Sequence, residues 1–128
     1  MNNKPISDIT LLVPELQETA KKVNMDITIH NFPFKIFETK RLVIRQEELF
    51  KQGYTKTMQS AHIIGCAFDL VLFINGQFSW EYKKYNYWWE SIIRFISLKY
   101  GLEAGGLWST FKDYPHYQIK NFKEKYAK

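Results

Sequence analysis

Cysteine is almost missing from this 128-residue chain: Cys66 stands alone, so no disulfide can close within it. A small secreted domain stapled by disulfides is excluded, and synthesis in a reducing cytosol is the expectation. No apolar stretch approaches the roughly 18 residues that a membrane-spanning helix requires. The first residues are equally unhelpful to export. Met1 to Asp8 is polar, and Ile9 to Val13 is interrupted by Thr10 and stopped by Pro14, too short for a signal-peptide core. Long basic blocks are also missing, as is any aromatic RNA-binding motif, which argues against a nucleic-acid partner. There is no internal repeat and no low-complexity segment.

What is present suits one folded domain; two will not fit. Apolar residues make up 45% of the chain, and 10 Phe, 8 Tyr and 4 Trp supply large side chains for its core. Charged residues reach only 24%, which argues against intrinsic disorder. The net charge of +5 would suit an anionic polymer. The scattered lysines, including the tail residues Lys120, Lys123, Lys125 and Lys128, read more simply as solvated faces.

Local patterns give an order of elements. Ser7 or Asp8 is positioned to cap a helix reaching about Val23, with Leu12, Leu16 and Ala20 on one face and Pro14 in its first turn. A loop is expected around Asn24 to Asp26, and a strand over Phe34 to Glu38, with His30 at a strand edge upstream. A helix spans about Ile44 to Gln52, ended by Gly53. Cys66 to Ile74 is a buried central strand closed by the Asn75-Gly76 hairpin turn. From about Tyr85 to Tyr100, Trp89, Ile93, Ile96 and Tyr100 recur at helical spacing, with Gly101 as the cap. Leu102 to Tyr117 reads as short strands and turns ending in extended His116-Tyr117. The fold class is α+β: a small antiparallel sheet with helices packed on it.

Asp69 is the chemical oddity, the one charge within that buried strand, and a buried carboxylate must be paired or hold a metal. His62 lies seven residues upstream, with Gly65 between them to let the backbone turn. Asp113-Tyr114-Pro115-His116 forms a second cluster. His62, Asp69 and His116 would supply the three protein ligands of a catalytic zinc, leaving Asp113 as a general base. Spacing alone leaves ordinary salt-bridged or surface groups as the alternative.

The order Ser60-x-His62-x-x-Gly65-x-Ala67-x-Asp69, then Gly101-Leu102-Glu103-x-Gly105-Gly106-x-Trp108, then Asp113-x-Pro115-His116, resembles the phage L-alanyl-D-glutamate peptidases. These are related to VanY-type D,D-carboxypeptidases in the LAS group of zinc peptidases, whose fold hedgehog-like proteins share. The likeness extends upstream to Glu38-Thr39-Lys40-Arg41, where the family has an arginine, and to Gln46, Leu49 and Gly53. It implies one Zn2+ held by His62, Asp69 and His116, with Asp113 as catalytic base and Arg41 assisting by holding a substrate carboxylate or the developing oxyanion. Gln46, Ser60 and Trp108 would line the substrate cleft.

The resemblance further implies a monomeric catalytic domain over residues 1–128, without a separate wall-binding domain. Its substrate would be the peptidoglycan stem peptide, cut between L-Ala and D-Glu. Such an endolysin would be made in the host cytoplasm, without inserting in the membrane, and reach the wall after membrane opening; a Gram-negative type of host fits. Removal of terminal D-Ala, and an inactive wall-binding module of the same fold, are the alternatives. Ala104 and Leu107 replace residues that are often Trp and Asp in the family, Tyr54 replaces a basic residue, and a glycine-rich stretch before Ser60 is shorter. These departures bear on cleft shape.

Among the remaining residues, Cys66 is expected in the core rather than on a metal, since it falls on the strand face opposite Asp69. Glu103 reads as structural. Trp108 and Tyr114 can wall the cleft, although core packing is the simpler reading for both.

Overall fold

Asp8 does not cap the first helix. Its carboxylate accepts the Thr10 N–H at 2.9 Å and closes a single 3-10 turn over Ile9–Leu11. The helix proper, α1 (Pro14–His30), starts with Pro14 at its first position, where a missing N–H costs nothing. The computed structural model describes residues 4–126, so Met1 to Asn3 and, in the basic tail, Ala127 and Lys128 lie outside the described residues.

The expected loop at Asn24 to Asp26 is absent, because α1 runs unbroken to a left-handed Asn31. Asp26 is the reason. It is buried on the inner face of α1, where Lys99 donates to both its oxygens at 3.0 Å and the Tyr100 hydroxyl also donates to it. His30 is therefore the last residue of a helix and not a strand edge; its ring meets Phe95 edge-on at 5.2 Å.

The other main elements follow their local signals. β1 (Phe34–Glu38) is followed by α2 (Val43–Lys51), and β2 (Ala67–Ile74) by β3 (Gln77–Ser79). Asn75 and Gly76 both have positive φ, 54° and 76°, as a tight two-residue hairpin turn demands. α3 (Asn86–Tyr100) ends at left-handed Gly101. β4 (Glu103–Ala104), β5 (His116–Gln118) and α4 (Phe122–Tyr126) complete the described chain; α4 carries no clear sequence signal.

The sheet is antiparallel, in the order β1-β2-β5-β4, with β3 also paired to β2. Phe68, Leu70 and Leu72 of β2 are completely buried, in one apolar cluster with Leu16, Ala20 and Val23 of α1 and Trp89, Ile92 and Ile96 of α3. Two details of register position the site. Asp69 lies directly opposite His116, and a bulge after Ile36 sets Glu38 opposite Asp69 on the other edge. The central strand thus gathers chemistry from both neighbours.

Candidate metal centre and active site

His62 sits on a 3-10 turn (Ala61–Ile64) that leads into β2. Ser60 caps that turn by accepting the His62 N–H at 3.2 Å, and left-handed Gly65 ends it. Only glycine fits there, since a Cβ would meet the Leu11 carbonyl at 2.8 Å. The backbone reversal aims the imidazole at Asp69. His116 arrives from the adjacent strand, and cross-strand neighbours are close enough for their side chains to meet.

Three donor atoms converge. His62 Nε2 is 3.0 Å from Asp69 Oδ1, His116 Nδ1 is 3.3 Å from the same oxygen, and the two nitrogens are 3.2 Å apart. Tetrahedral zinc with ligand bonds of about 2.0–2.1 Å has ligand-to-ligand edges of roughly 3.3 Å, so the trio matches one face of that tetrahedron and leaves the fourth position open. Each imidazole is braced through its other nitrogen. His62 Nδ1 meets the Thr39 carbonyl, and His116 Nε2 meets Gln118 Oε1, both at 2.7 Å. Such outer partners orient ligating histidines.

Burial alone would raise the Asp69 carboxyl, but His62 and then His116 outweigh it and hold it well below the ordinary range. Burial opposes the charge on His116, yet Asp69 prevails and raises it. Asp113 behaves differently. The surrounding protein, and then the charge of Asp69, push its carboxyl up. Its Oδ2 stands 3.9 Å from His116 Nδ1, and its side chain, 41% exposed, opens onto the cleft. A partly solvated carboxyl with raised affinity for protons, beside a trio able to hold a cation, can accept and return a proton.

The cleft has a volume of about 830 Å³ and is lined by the trio, Asp113, Arg41, Ser60 and Trp108 among others. Trp108 is a cleft wall rather than core. Its indole N–H donates to Glu103 at 2.9 Å, giving Glu103 the structural part expected of it, and its ring lies 5.4 Å from that of His116. Tyr114 instead packs on Tyr82 and Trp89. Exposed Tyr54 reaches the cleft, whereas exposed Leu107 does not line it.

Gln46 needs correction as a cleft residue. It is completely buried, accepting from Arg41 Nη1 at 2.9 Å and donating to the Thr57 carbonyl at 2.7 Å, so both ends of its amide are occupied. Arg41 lines the cleft, but its guanidinium is already engaged by Gln46 and by Glu38. Cys66 is fully buried away from the trio, and burial pushes its thiol up to about 11. The sequence assigned no site role to Glu38, Thr39, Arg45 or Gln118. Gln118 alone had a signal, its place two residues from His116 on the same strand face.

An α+β domain with a His-Asp-His trio open to a cleft, and a carboxyl beside it, has the donor set of a metal-dependent hydrolase centre. Comparison with known proteins narrows the class. The peptidase M15 family model described as D-alanyl-D-alanine carboxypeptidase matches residues 53–119, and the chain belongs to that family. It is 27% identical over 121 residues to the L-alanyl-D-glutamate peptidase of Listeria phage A118, covering 94% of this chain and 42% of that protein. The chain therefore spans less than half the length of that relative. The crystal structure of Serratia marcescens L-Ala D-Glu endopeptidase ChiX is 27% identical with a TM-score of 0.66, covering 98% of this chain and 92% of that one.

Proposed function

We propose that this chain is a zinc-dependent endopeptidase of peptidoglycan that hydrolyses the bond between L-Ala and D-Glu in the stem peptide. The observation that carries this reading is the donor triangle of His62, Asp69 and His116, with edges of 3.0 to 3.3 Å, set in a cleft beside Asp113. The choice of bond is supported by both named relatives, each of which bears that specificity in its name.

His62, Asp69 and His116 would hold the ion, one nitrogen or oxygen each. When bound, zinc supplies Lewis acidity that polarises oxygen atoms at its open position. Asp113 takes a proton from the attacking water and returns it to the departing amine of D-Glu, while the L-Ala carbonyl carbon gains the hydroxyl and loses the C–N bond. Arg41, at the cleft wall, provides positive charge for a carboxylate or the developing oxyanion. Ser60 fixes the His62 turn, and Trp108 shapes the wall.

The biological setting that fits is a monomeric phage-type endolysin forming one catalytic domain, made in the host cytoplasm and acting on the wall after membrane opening. Among the described residues no helix is long and apolar enough to cross a membrane. The matched family description favours a second reading, removal of terminal D-Ala. Mass spectrometry of purified peptidoglycan digested with zinc, with chelator and with zinc restored separates them. Fragments beginning at D-Glu, lost on chelation and regained with zinc, are expected. Loss of terminal D-Ala alone would replace the proposed bond, and no cleavage by folded, zinc-loaded protein would overturn the enzyme reading in favour of a binding module.

A further inference from the structure

Behind the metal trio lies a second charged layer, built on Glu38, to which the reaction assigns no part beyond the positive charge of Arg41. Glu38, only 1% exposed, receives Arg41 Nη2 at 2.7 Å on Oε1, and Arg45 donates to both of its oxygens. Arg41 Nη1 is tied to Gln46, which is itself pinned to the loop carbonyl of Thr57. The backbone N–H of Arg41 bonds the His62 carbonyl at 2.9 Å. Glu38 thus holds the guanidinium by one terminal nitrogen and Gln46 by the other.

The consequence falls on Asp69. Its Oδ1 faces the two histidines, whereas its Oδ2 stands 3.8 Å from Arg41 Nη2, about 1 Å beyond a charge-assisted hydrogen bond. A buried guanidinium that lost the Glu38 charge would have Asp69 as its nearest remaining carboxylate, and unpaired buried charge is costly enough to drive that closure. Arg41 would then compete with a bound cation for the ligand's electron density. The bulge in β1 that sets Glu38 opposite Asp69 gives this arrangement a backbone basis.

We infer that Glu38 is a positioning residue for the metal centre: by holding Arg41 on itself it keeps the Asp69 carboxylate available to the ion. This rests on the metal-binding reading above. The test is zinc affinity of the purified chain, measured by competition with a chromogenic chelator, with circular dichroism to confirm folding. Glu38→Gln is expected to weaken zinc binding about 10- to 100-fold, and adding Arg41→Gln in that background is expected to return it to the wild-type value.

Unchanged affinity in folded Glu38→Gln, or a loss that Arg41→Gln does not reverse, would overturn the inference while leaving the metal reading intact. A wild-type chain that takes up no zinc would overturn both. Should Glu38→Gln fail to fold, Arg41→Gln alone decides: affinity at or above wild type supports Glu38 as the restraint on a competitor, and affinity tenfold weaker or worse refutes it.

Discussion

Replacing Gly105 with alanine tests whether the Asp113 to His116 segment is held to sub-ångström tolerance by the Gly105-Gly106 turn that packs against it. A Cβ at Gly105 would lie 2.5 Å from the Asp113 carbonyl oxygen, 3.0 Å from Asp113 Cβ and 3.1 Å from His116 Cβ. Ordinary contact is reached at about 3.5 Å, so the segment must retreat by roughly 1 Å. It cannot do so freely. Asp113 N–H donates to the Gly105 carbonyl at 3.0 Å, and His116 N–H donates to the Asp113 carbonyl at 3.1 Å, so a displaced carbonyl carries both the proposed base and a proposed metal ligand with it.

A misplacement of about 1 Å is expected to slow hydrolysis about 10²-fold, with a stability loss of about 1–3 kcal/mol from overpacking. Gly76→Ala is the control. No atom lies within 4 Å of its added Cβ, but its φ of +76° makes alanine strained, at a cost of about 1–2 kcal/mol. The two variants should lose similar stability in thermal unfolding, while only Gly105→Ala loses rate in peptidoglycan digestion well below both melting points. A wild-type rate in Gly105→Ala, or an equal loss in Gly76→Ala, would refute the reasoning.

Asp113→Asn should lower the rate about 10²- to 10⁴-fold while zinc affinity and melting temperature stay unchanged; a fully active variant would remove Asp113 from the mechanism. At the far side of the core, burial would raise Asp26, but the Tyr100 hydroxyl and the Lys99 ammonium together hold it lowered. A depressed carboxyl stabilises the fold above its unfolded value of about 3.9 and ceases to do so as pH falls through the native value. Asp26→Asn is therefore expected to melt earlier than wild type at pH 7, the gap closing as the pH falls below the unfolded value and through the lowered native one, and a pH-independent gap would contradict this. Native Cys66, buried and with its thiol raised to about 11, should resist thiol reagents at pH 8 until denaturant is added. Fast labelling of the native chain would show that the site opens.

Much of the molecule was legible in the order of its residues. The apolar run of β2, the Asn75-Gly76 turn and the Trp89-Ile93-Ile96 stripe with Gly101 behind it are local statements, because strand burial, hairpin geometry and helix termination depend on residues close together in the chain. The trio was legible for a related reason. A carboxylate inside a strand that is otherwise apolar has few physical excuses, and the motifs around it supply two histidines and a second carboxyl.

What the sequence could not decide were matters settled across long separations. Asn24 to Asp26 looks like a loop until Lys99 and Tyr100, more than seventy residues away, give Asp26 a buried partner set that rewards helix continuation. Gln46 looks like a cleft residue until its amide is found occupied at both ends, and Arg41 looks free until Glu38 takes its charge. Local chemistry proposes roles for polar side chains. Only the packed tertiary structure assigns them, because a buried charge or amide takes the nearest group able to satisfy it, and that nearness is set by strand register and helix packing rather than by distance along the chain.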